Sequence, residues 1–182
     1  ELIKKKPLKV IDLRGTSTER YSEQREKLKK DTAIFKKPIV NKDTGEAIFV
    51  VPATLSHTFS NEENQQENIN AIKQIKSLIE EAVLTHAAPS KKASDHTTGV
   101  YTLFSAGFAD NGVVPVRLKI KEFAIEGQDI PATIKAYLKE NGYSDEYASV
   151  YDGKVLVLEG IEKEASSSAL ATDKENFAGD KY

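Results

Sequence analysis

The fold is decided by residues 99–124, which read GVYTLFSAGFADNGVVPVRLKIKEFA. Two runs with alternating apolar residues, Val100 to Phe108 and Val114 to Phe123, flank the tripeptide Asp110-Asn111-Gly112. An Asn-Gly pair between such runs is a strong short-range signal of a β-hairpin, because both residues tolerate the positive φ angles of a tight turn. The stretch therefore predicts a long antiparallel hairpin.

Shorter signals on both sides of this hairpin predict further strands. Leu8 to Leu13 has the composition of a short strand. Pro38 to Val40 and Ala47 to Val51 flank a turn-rich stretch and predict a second hairpin. Asp152-Gly153 is another tight-turn signal, and Val155 to Leu158 follows it as an apolar run.

A long helix is predicted from about Asn61 to Thr85. Ser60 and Glu63 have the spacing of a capping box, and the following isoleucines recur at three- and four-residue intervals. The residues of this apolar stripe are Ile69, Ile72, Ile75, Ile79 and Val83. The stripe predicts that Ile72, Ile75 and Ile79 lie in the core.

Two shorter helices and a loop complete the local predictions. Thr16 and Glu19 form another capping box, which predicts a charged helix running to about Ala33. Asp129 predicts the cap of a helix that stops at Asn141-Gly142. Ala87 to Thr98 contains a proline and several small residues and predicts a loop.

Composition limits the classes of protein to consider. The chain has 182 residues, of which 39% are hydrophobic and 30% are charged, as expected of a soluble globular protein. It contains no Cys and only three His, which excludes disulfides and thiolate zinc sites and makes a His-only metal centre improbable. The net charge of −2 offers no bulk attraction to nucleic acid. Any phosphate binding therefore needs a local basic patch.

These patterns together predict an α+β fold. The long helix and a shorter N-terminal helix pack on an antiparallel sheet of about four strands. Three parts are expected along the chain: an N-terminal strand and charged helix at residues 1–36, the main α+β domain at residues 37–160, and a polar tail at residues 161–182.

A row of cations lies on one strand of the predicted hairpin. Because side chains alternate along a strand, Arg117, Lys119 and Lys121 share one face, with spacing of about 7 Å that suits the phosphates of an extended RNA strand. Tyr101, on the other strand, is a candidate for stacking on a base. The alternative is that the cations are an ordinary solvated face and the tyrosine belongs to the core.

The residues before the long helix offer candidates for acid and base chemistry. His57 is an imidazole that titrates near neutrality, and the hydroxyls of Ser56 and Thr58 flank it and can orient a phosphate. His96 precedes the long hairpin and is a candidate second catalytic group, whereas His86 is expected to be a cation at the end of the long helix. The alternative for His57 is an ordinary loop residue beside a helix cap.

Motifs for nucleotide, zinc and serine-hydrolase chemistry are absent from the sequence. It has no GxGxxG, GxxxxGK[ST], HExxH or GxSxG pattern and no EF-hand loop. No small-molecule cofactor and no metal ligands are therefore expected. No run of apolar residues is long enough to span a bilayer, so no association with a membrane is expected.

The order of elements from about Pro38 to Gly160 resembles a known group of domains. The hairpin ending at Ile48-Phe49-Val50-Val51, the Ser56-His57 turn, the long helix and the basic hairpin follow one another as in barnase/EndoU/RelE-like nuclease-fold domains of large polyvalent proteins from phages and mobile elements. The resemblance implies an antiparallel sheet whose face receives RNA. Many members are metal-independent ribonuclease toxins, and the candidates carried over are His57, Ser56, Arg117 and Lys119.

Two functions from different classes follow. The first is a metal-independent ribonuclease, an RNA-cleaving effector with RNA as substrate and an immunity protein as a candidate partner. The second is a non-catalytic binding or structural module of a phage polyprotein. The chain begins without Met and shows no signal peptide, so it is expected to be a piece of a larger protein. The expected location is the cytoplasm.

Overall fold

Seven strands and four helices are present in the part of the chain that the computed structural model describes, namely residues 8–31, 37–52, 65–89, 97–110, 112–124, 132–140 and 154–163. In chain order they are β1 (Val10–Asp12), α1 (Tyr21–Lys30), β2 (Ile39–Val40), β3 (Ala47–Phe49), α2 (Gln65–Lys73), α3 (Ile75–Glu81), β4 (Val83–Pro89), β5 (Thr97–Ala109), β6 (Gly112–Ala124), α4 (Ala132–Glu140) and β7 (Lys154–Lys163). The predicted α+β class is confirmed.

The predicted long hairpin is confirmed as β5 and β6, which lie in the middle of the sheet. Their residues pair antiparallel from Thr97 opposite Phe123 to Ala109 opposite Gly112. Gly112 follows the turn with a φ of 117°, a conformation that residues with a Cβ rarely adopt. The predicted alternation is also present, since the apolar row of β6 is buried throughout: Val114, Val116, Leu118 and Ile120.

The sheet is larger and less regular than predicted. Its strand order is β1-β5-β6-β7-β3-β2, and β4 also pairs with β5. On the β5 edge away from β6, β4 pairs antiparallel with residues 99–104 and β1 pairs parallel with residues 106–108. β3 and β7 form a second parallel pair. The expectation of about four antiparallel strands is therefore wrong, because short-range patterns carry no information about strands that pair across long stretches of chain.

The predicted long helix is divided into two. α2 ends at Lys73 and α3 begins at Ile75, with the Gln74 N–H shared between the carbonyls of Asn70 (3.1 Å) and Ala71 (3.2 Å). Ile72, Ile75 and Ile79 are fully buried, which confirms the predicted core stripe. The helical period continues through the break, so the sequence alone shows one uninterrupted stripe.

The predicted end of the long helix at about Thr85 is wrong, and the predicted loop is a strand at residues 87–89 and 97–98, while residues 90–96 lie outside the described residues. Residues Val83–Pro89 form β4, so His86 is an exposed strand residue and not a cation at a helix end. Ala82 already has extended backbone angles, with φ −69° and ψ 153°. The amide of Asn41 binds the carbonyl oxygens of Ile79 (2.7 Å) and Ala82 (2.8 Å), which ends the helix from a distant loop.

That same loop, residues 41–46, joins the two ends of the curled sheet. It follows β2 at one end of the strand order, and the Asp43 carboxylate accepts a hydrogen bond from the Leu84 N–H (2.9 Å) at the start of β4 on the other end. The Lys42 N–H donates to the Glu80 carbonyl (3.1 Å) of α3. The β2–β3 hairpin itself was predicted and is confirmed. A side-chain hydrogen bond to β4 and a backbone hydrogen bond to α3, rather than strand pairing, thus connect the two ends of the sheet.

The N-terminal strand and helix are present, although the predicted capping box is wrong. Arg20 is the N-cap of α1 and makes no side-chain cap, because the Ser17 hydroxyl accepts from the Glu19 N–H instead. α1 buries Gln24, whose side-chain amide exchanges two 2.9 Å hydrogen bonds with that of Gln66 on α2. The caps predicted at Ser60 and Asp129 lie outside the described residues.

β7 is longer than the predicted run of Val155 to Leu158. It pairs with β6 from Lys154 to Lys163, and Lys163 forms an ion pair with Glu67 of α2. The side chain of Lys163 is only 6% exposed, so the ion pair ties the end of β7 to the helix layer. None of the helices in the described ranges is long and apolar enough to cross a membrane.

Candidate functional site

The three candidate cations of β6 lie on one face of the sheet, which we call the outer face. Arg117, Lys119 and Lys121 stand opposite Phe104, Thr102 and Val100 of β5, respectively. The opposite, inner face carries Leu118 and Ile120 in one apolar core cluster with the helix residues Ile75 and Leu78. The structure therefore brings the three cations together.

Carboxylates from β7 accompany these cations. Glu159 lies at a register shift of β7 and places its two oxygens 3.5 Å from Lys119 Nζ and 3.0 Å from Lys121 Nζ. Glu162 is directly opposite Arg117, whose guanidinium carbon lies 5.8 Å from the centre of the Phe104 ring. The outer face thus carries a charge ladder, in which a row of three cations on β6 lies beside two glutamates on β7. Sequence analysis missed the two glutamates because they fell near and beyond the end of the predicted strand.

Tyr101 does not join the cations. It stands opposite Ile120, so its side chain belongs to the inner face. Its hydroxyl donates a 2.6 Å hydrogen bond to Glu122 Oε2. This hydrogen bond, together with burial of the phenol and the negative charge of Glu122, raises the pKa of Tyr101 to about 12. The candidate base-stacking residue therefore lies across the sheet from the candidate phosphate contacts.

Glu122 is a buried residue, at 7% exposure, although its side chain is charged. It occupies the inner row of β6, after Leu118 and Ile120, where the alternation calls for an apolar residue. Lys154 Nζ lies 3.9 Å from its Oε1. The break in the apolar row is visible in the sequence as a Glu at a position where the alternation of β6 predicts an apolar residue.

The candidate catalytic residues lie outside the described part of the chain. Ser56, His57 and Thr58 fall within residues 53–64, and His96 falls within residues 90–96. Their distance from Arg117 and Lys119 is therefore untested. Among the residues that the structure does describe, no group of His, Asp and Glu side chains has an arrangement that could hold a metal ion.

Comparison with known proteins identifies one family. The family model described as large polyvalent protein-associated domain 3 matches residues 18–142, more than half of the 182 residues. The matched region runs from just before α1 to just after α4 and includes the β5–β6 hairpin. No curated protein and no solved structure matches the chain. The chain belongs to the large polyvalent protein-associated domain 3 family.

Proposed function

We propose that this domain is a non-catalytic protein-binding module of a large polyvalent protein and that it docks through the outer face of β6 and β7. The observation that carries the proposal is the charge ladder, in which Glu159 and Glu162 accompany the three cations of β6. RNA binding depends on cations that are free to neutralise phosphates, whereas protein interfaces use interleaved charges of both signs to set orientation. A surface with charges of both signs therefore suits a protein interface better than an RNA-binding surface.

The partner that fits this surface is a polypeptide segment with interspersed acidic and basic side chains, supplied by another region of the same large protein. The family association provides that context. Lys119 keeps 48% of its side chain exposed and Glu159 keeps 31%, so the ladder can exchange internal ion pairs for intermolecular ones. Each such pair at a wet interface contributes little affinity but discriminates against wrong partners.

The test is a charge swap that preserves the internal pairs. Lys119→Glu and Lys121→Glu combined with Glu159→Lys keep opposite charges adjacent in both ion pairs of residue 159 but reverse their signs. We expect unchanged thermal unfolding and at least a tenfold weaker affinity for the remainder of the parent polypeptide, measured by calorimetry. The matched control is Lys76→Glu with Glu80→Lys, a surface pair on α3 with a 3.8 Å separation. Equal affinity of the swapped variant and the wild type would overturn the proposal.

RNA cleavage is the second candidate, and the common row of Arg117, Lys119 and Lys121 is the observation in its favour. This second proposal holds that the domain is related to the barnase/EndoU/RelE-like nucleases, that RNA is its substrate and that His57 is the acid or base. Incubation of the domain with total RNA in EDTA, comparing wild type with His57→Ala, tests it directly. Cleavage by the wild type alone would replace the binding-module proposal.

RNA affinity itself is a separate prediction. If the glutamates of β7 offset the cations of β6, RNA binding should be negligible at about 50 mM salt. The double change Arg117→Gln with Lys119→Gln should then leave it unchanged. Lys29→Gln with Lys30→Gln, which removes two exposed cations from α1, is the control. A salt-dependent affinity that falls in the β6 variant and not in the α1 variant would instead support phosphate contacts on the outer face.

A further inference from the structure

Two buried side chains anchor the N-terminal strand β1 and the residue after it in the core. Ile11 is 5% exposed and Leu13 is fully buried, whereas Val10 and Asp12 of the same segment are exposed. A Cβ on Gly107 would lie 2.4 Å from Leu13 Cδ1, so the leucine fills a socket directly over the glycine backbone. Apolar anchors at alternate positions beside a strand edge are the pattern by which sheets bind extended polypeptide segments.

The backbone of this segment is bound in the same manner. Val10–Asp12 pairs in parallel with residues 106–108 of β5, and the Leu13 N–H donates to the Phe108 carbonyl at 2.9 Å. The Asn70 side-chain amide of α2 donates to the carbonyls of Leu13 (2.9 Å) and Gly15 (3.2 Å). Asn70 is buried, so an empty groove would leave its amide without these two acceptors. The groove on β5 therefore favours an occupied state, whichever chain supplies the strand.

An exposed connection separates β1 from α1. Residues 14–18 are all exposed, and Arg14, which lies 4.3 Å from the centre of the Phe108 ring, keeps 52% of its side chain in solvent. α1 is fastened independently of β1, because the side chain of Gln24 exchanges two hydrogen bonds with that of Gln66 on α2. Release of β1 from its groove therefore leaves the contacts between α1 and α2 in place.

We propose that β1 is an exchangeable strand and that its groove on β5 accepts the same segment, residues 10–13, from a second copy of this chain. A second copy fits because it supplies Ile and Leu at the spacing of the two anchors and a carbonyl where Asn70 binds one. Exchange in both directions gives a closed, twofold-symmetric dimer in which the contacts of β1 with β5 and α2 are retained. The connection then determines the balance between monomer and dimer. The outer-face ladder takes no part, so the exchange does not depend on the function proposed for that face.

Engineered disulfides report which chain supplies the strand. The chain has no Cys, so Asp12→Cys with Phe108→Cys, a pair in register between β1 and β5, introduces the only thiols. Neighbouring strands lie about 4.8 Å apart, within the roughly 4.4–6.8 Å between Cα atoms that a disulfide spans. The matched control is Thr102→Cys with Lys119→Cys, which joins the two strands of the β5–β6 hairpin and should close within one chain. After incubation at high protein concentration and then oxidation, the first variant should give at least tenfold more disulfide-linked dimer than the control.

Shortening the connection tests the exchange in a second way. Deletion of Thr16 and Ser17 removes two exposed residues and should keep β1 from reaching the groove of its own chain. We expect the dissociation constant of the dimer, measured by analytical ultracentrifugation, to fall at least tenfold below that of the wild type. Thr16→Ala with Ser17→Ala, which keeps the length of the connection, is the control and should behave as the wild type. Addition of Leu13→Ala to the deletion should abolish the dimer, because it empties the socket over Gly107.

The outcomes separate strand exchange from the other occupants of the groove. A shortened variant that stays monomeric would overturn the proposal and would leave the groove to its own strand or to a segment of a different polypeptide. A dimer that persists after Leu13→Ala would also overturn it, because that dimer would form through another surface. If the shortened variant fails to fold, the two cysteine pairs in the full-length chain decide alone, and equal amounts of linked dimer from both would reject the exchange.

Discussion

Gly107 shows how one missing side chain positions the N-terminal segment. A Cβ on Gly107 would lie 2.4 Å from Leu13 Cδ1 and 3.0 Å from Leu13 Cγ, with Val116 at 3.3 Å. Leu13 is fully buried, and its N–H is hydrogen-bonded to the Phe108 carbonyl at 2.9 Å. Leu13 therefore has little room to move away, and the space over Gly107 is where its side chain packs.

Gly107→Ala should consequently lower the free energy of unfolding by about 1–3 kcal/mol, the usual cost of overpacking a core. Gly160→Ala on β7 is the matched control, because no atom lies within 4 Å of a Cβ built there. Urea unfolding followed by circular dichroism measures both. Equal stability of the two variants would mean that Leu13 is repacked without cost.

Tyr101 gives a prediction about pH. The hydrogen bond to Glu122 raises the pKa of Tyr101 to about 12, above the value of about 10 for a free tyrosine. Between these values the unfolded chain loses the phenol proton first, so rising pH favours unfolding. The stabilisation is complete below about pH 10 and is lost as the pH approaches 12. Ultraviolet titration of the folded protein, with Tyr101→Phe as the reference, should show one late-titrating tyrosine; its absence would exclude the hydrogen bond.

The side of the sheet that Tyr101 occupies could have been predicted from the sequence. A hairpin with two residues between Ala109 and Gly112 fixes the pairing of every residue before and after it, and this register places Tyr101 opposite Ile120 and Gly99 near Glu122. The glutamates of β7 could not be placed in the same way. Their position depends on pairing across residues 125–153 and on a register shift beside Lys119.

At the scale of elements, the loop after β2 controls where α3 ends. Asn41 is fully buried and uses every polar atom of its side chain. The amide donates to the Ile79 and Ala82 carbonyls, and the oxygen accepts from the Thr44 N–H and hydroxyl. Carbonyl oxygens at a helix end need such partners when water is excluded. A loop distant in sequence thereby turns the chain from helix into β4, which local helix propensity cannot reveal.

Asn41→Ala should therefore lower the free energy of unfolding by about 2–4 kcal/mol, since it leaves buried carbonyls without donors. The neighbouring Lys42→Ala is the control. It removes an exposed ion pair with Glu81, and such pairs contribute about 0–1 kcal/mol. Thermal unfolding should show a clearly larger loss of stability for Asn41→Ala than for Lys42→Ala. A loss in Asn41→Ala no larger than in Lys42→Ala would show that α3 ends without help from this loop.

At the scale of the whole molecule, the sheet is a curled layer with protected central strands. β5 has β6 on one edge and both β4 and β1 on the other, and β6 lies between β5 and β7. By contrast, β2 has two residues at one end of the order, and β4 is exposed along most of its length. The central strands should open only with global unfolding.

Amide hydrogen exchange checks which strands open only with global unfolding and which open locally. The amides of Leu103 and Leu118, in β5 and β6, should exchange at the rate of global unfolding, whereas amides of β2 and β4 should exchange much faster through local opening. Mass spectrometry of proteolytic fragments or NMR provides the measurement. Equal protection of β4 and β6 would show that β4 is an integral part of the central core.

The two parallel strand pairs also determine the order in which the molecule can be assembled during its synthesis. β1 pairs with β5, and β3 with β7, across roughly a hundred residues of chain. A ribosome adds about 5–20 residues per second, so each early strand waits about 5–20 seconds for its partner. During that interval β1 lacks its strand partner and β3 is paired only with β2, so each keeps an unpaired edge. The β5–β6 hairpin, made from adjacent sequence, ends that exposure for β1, whereas β3 waits until β7 has been synthesised.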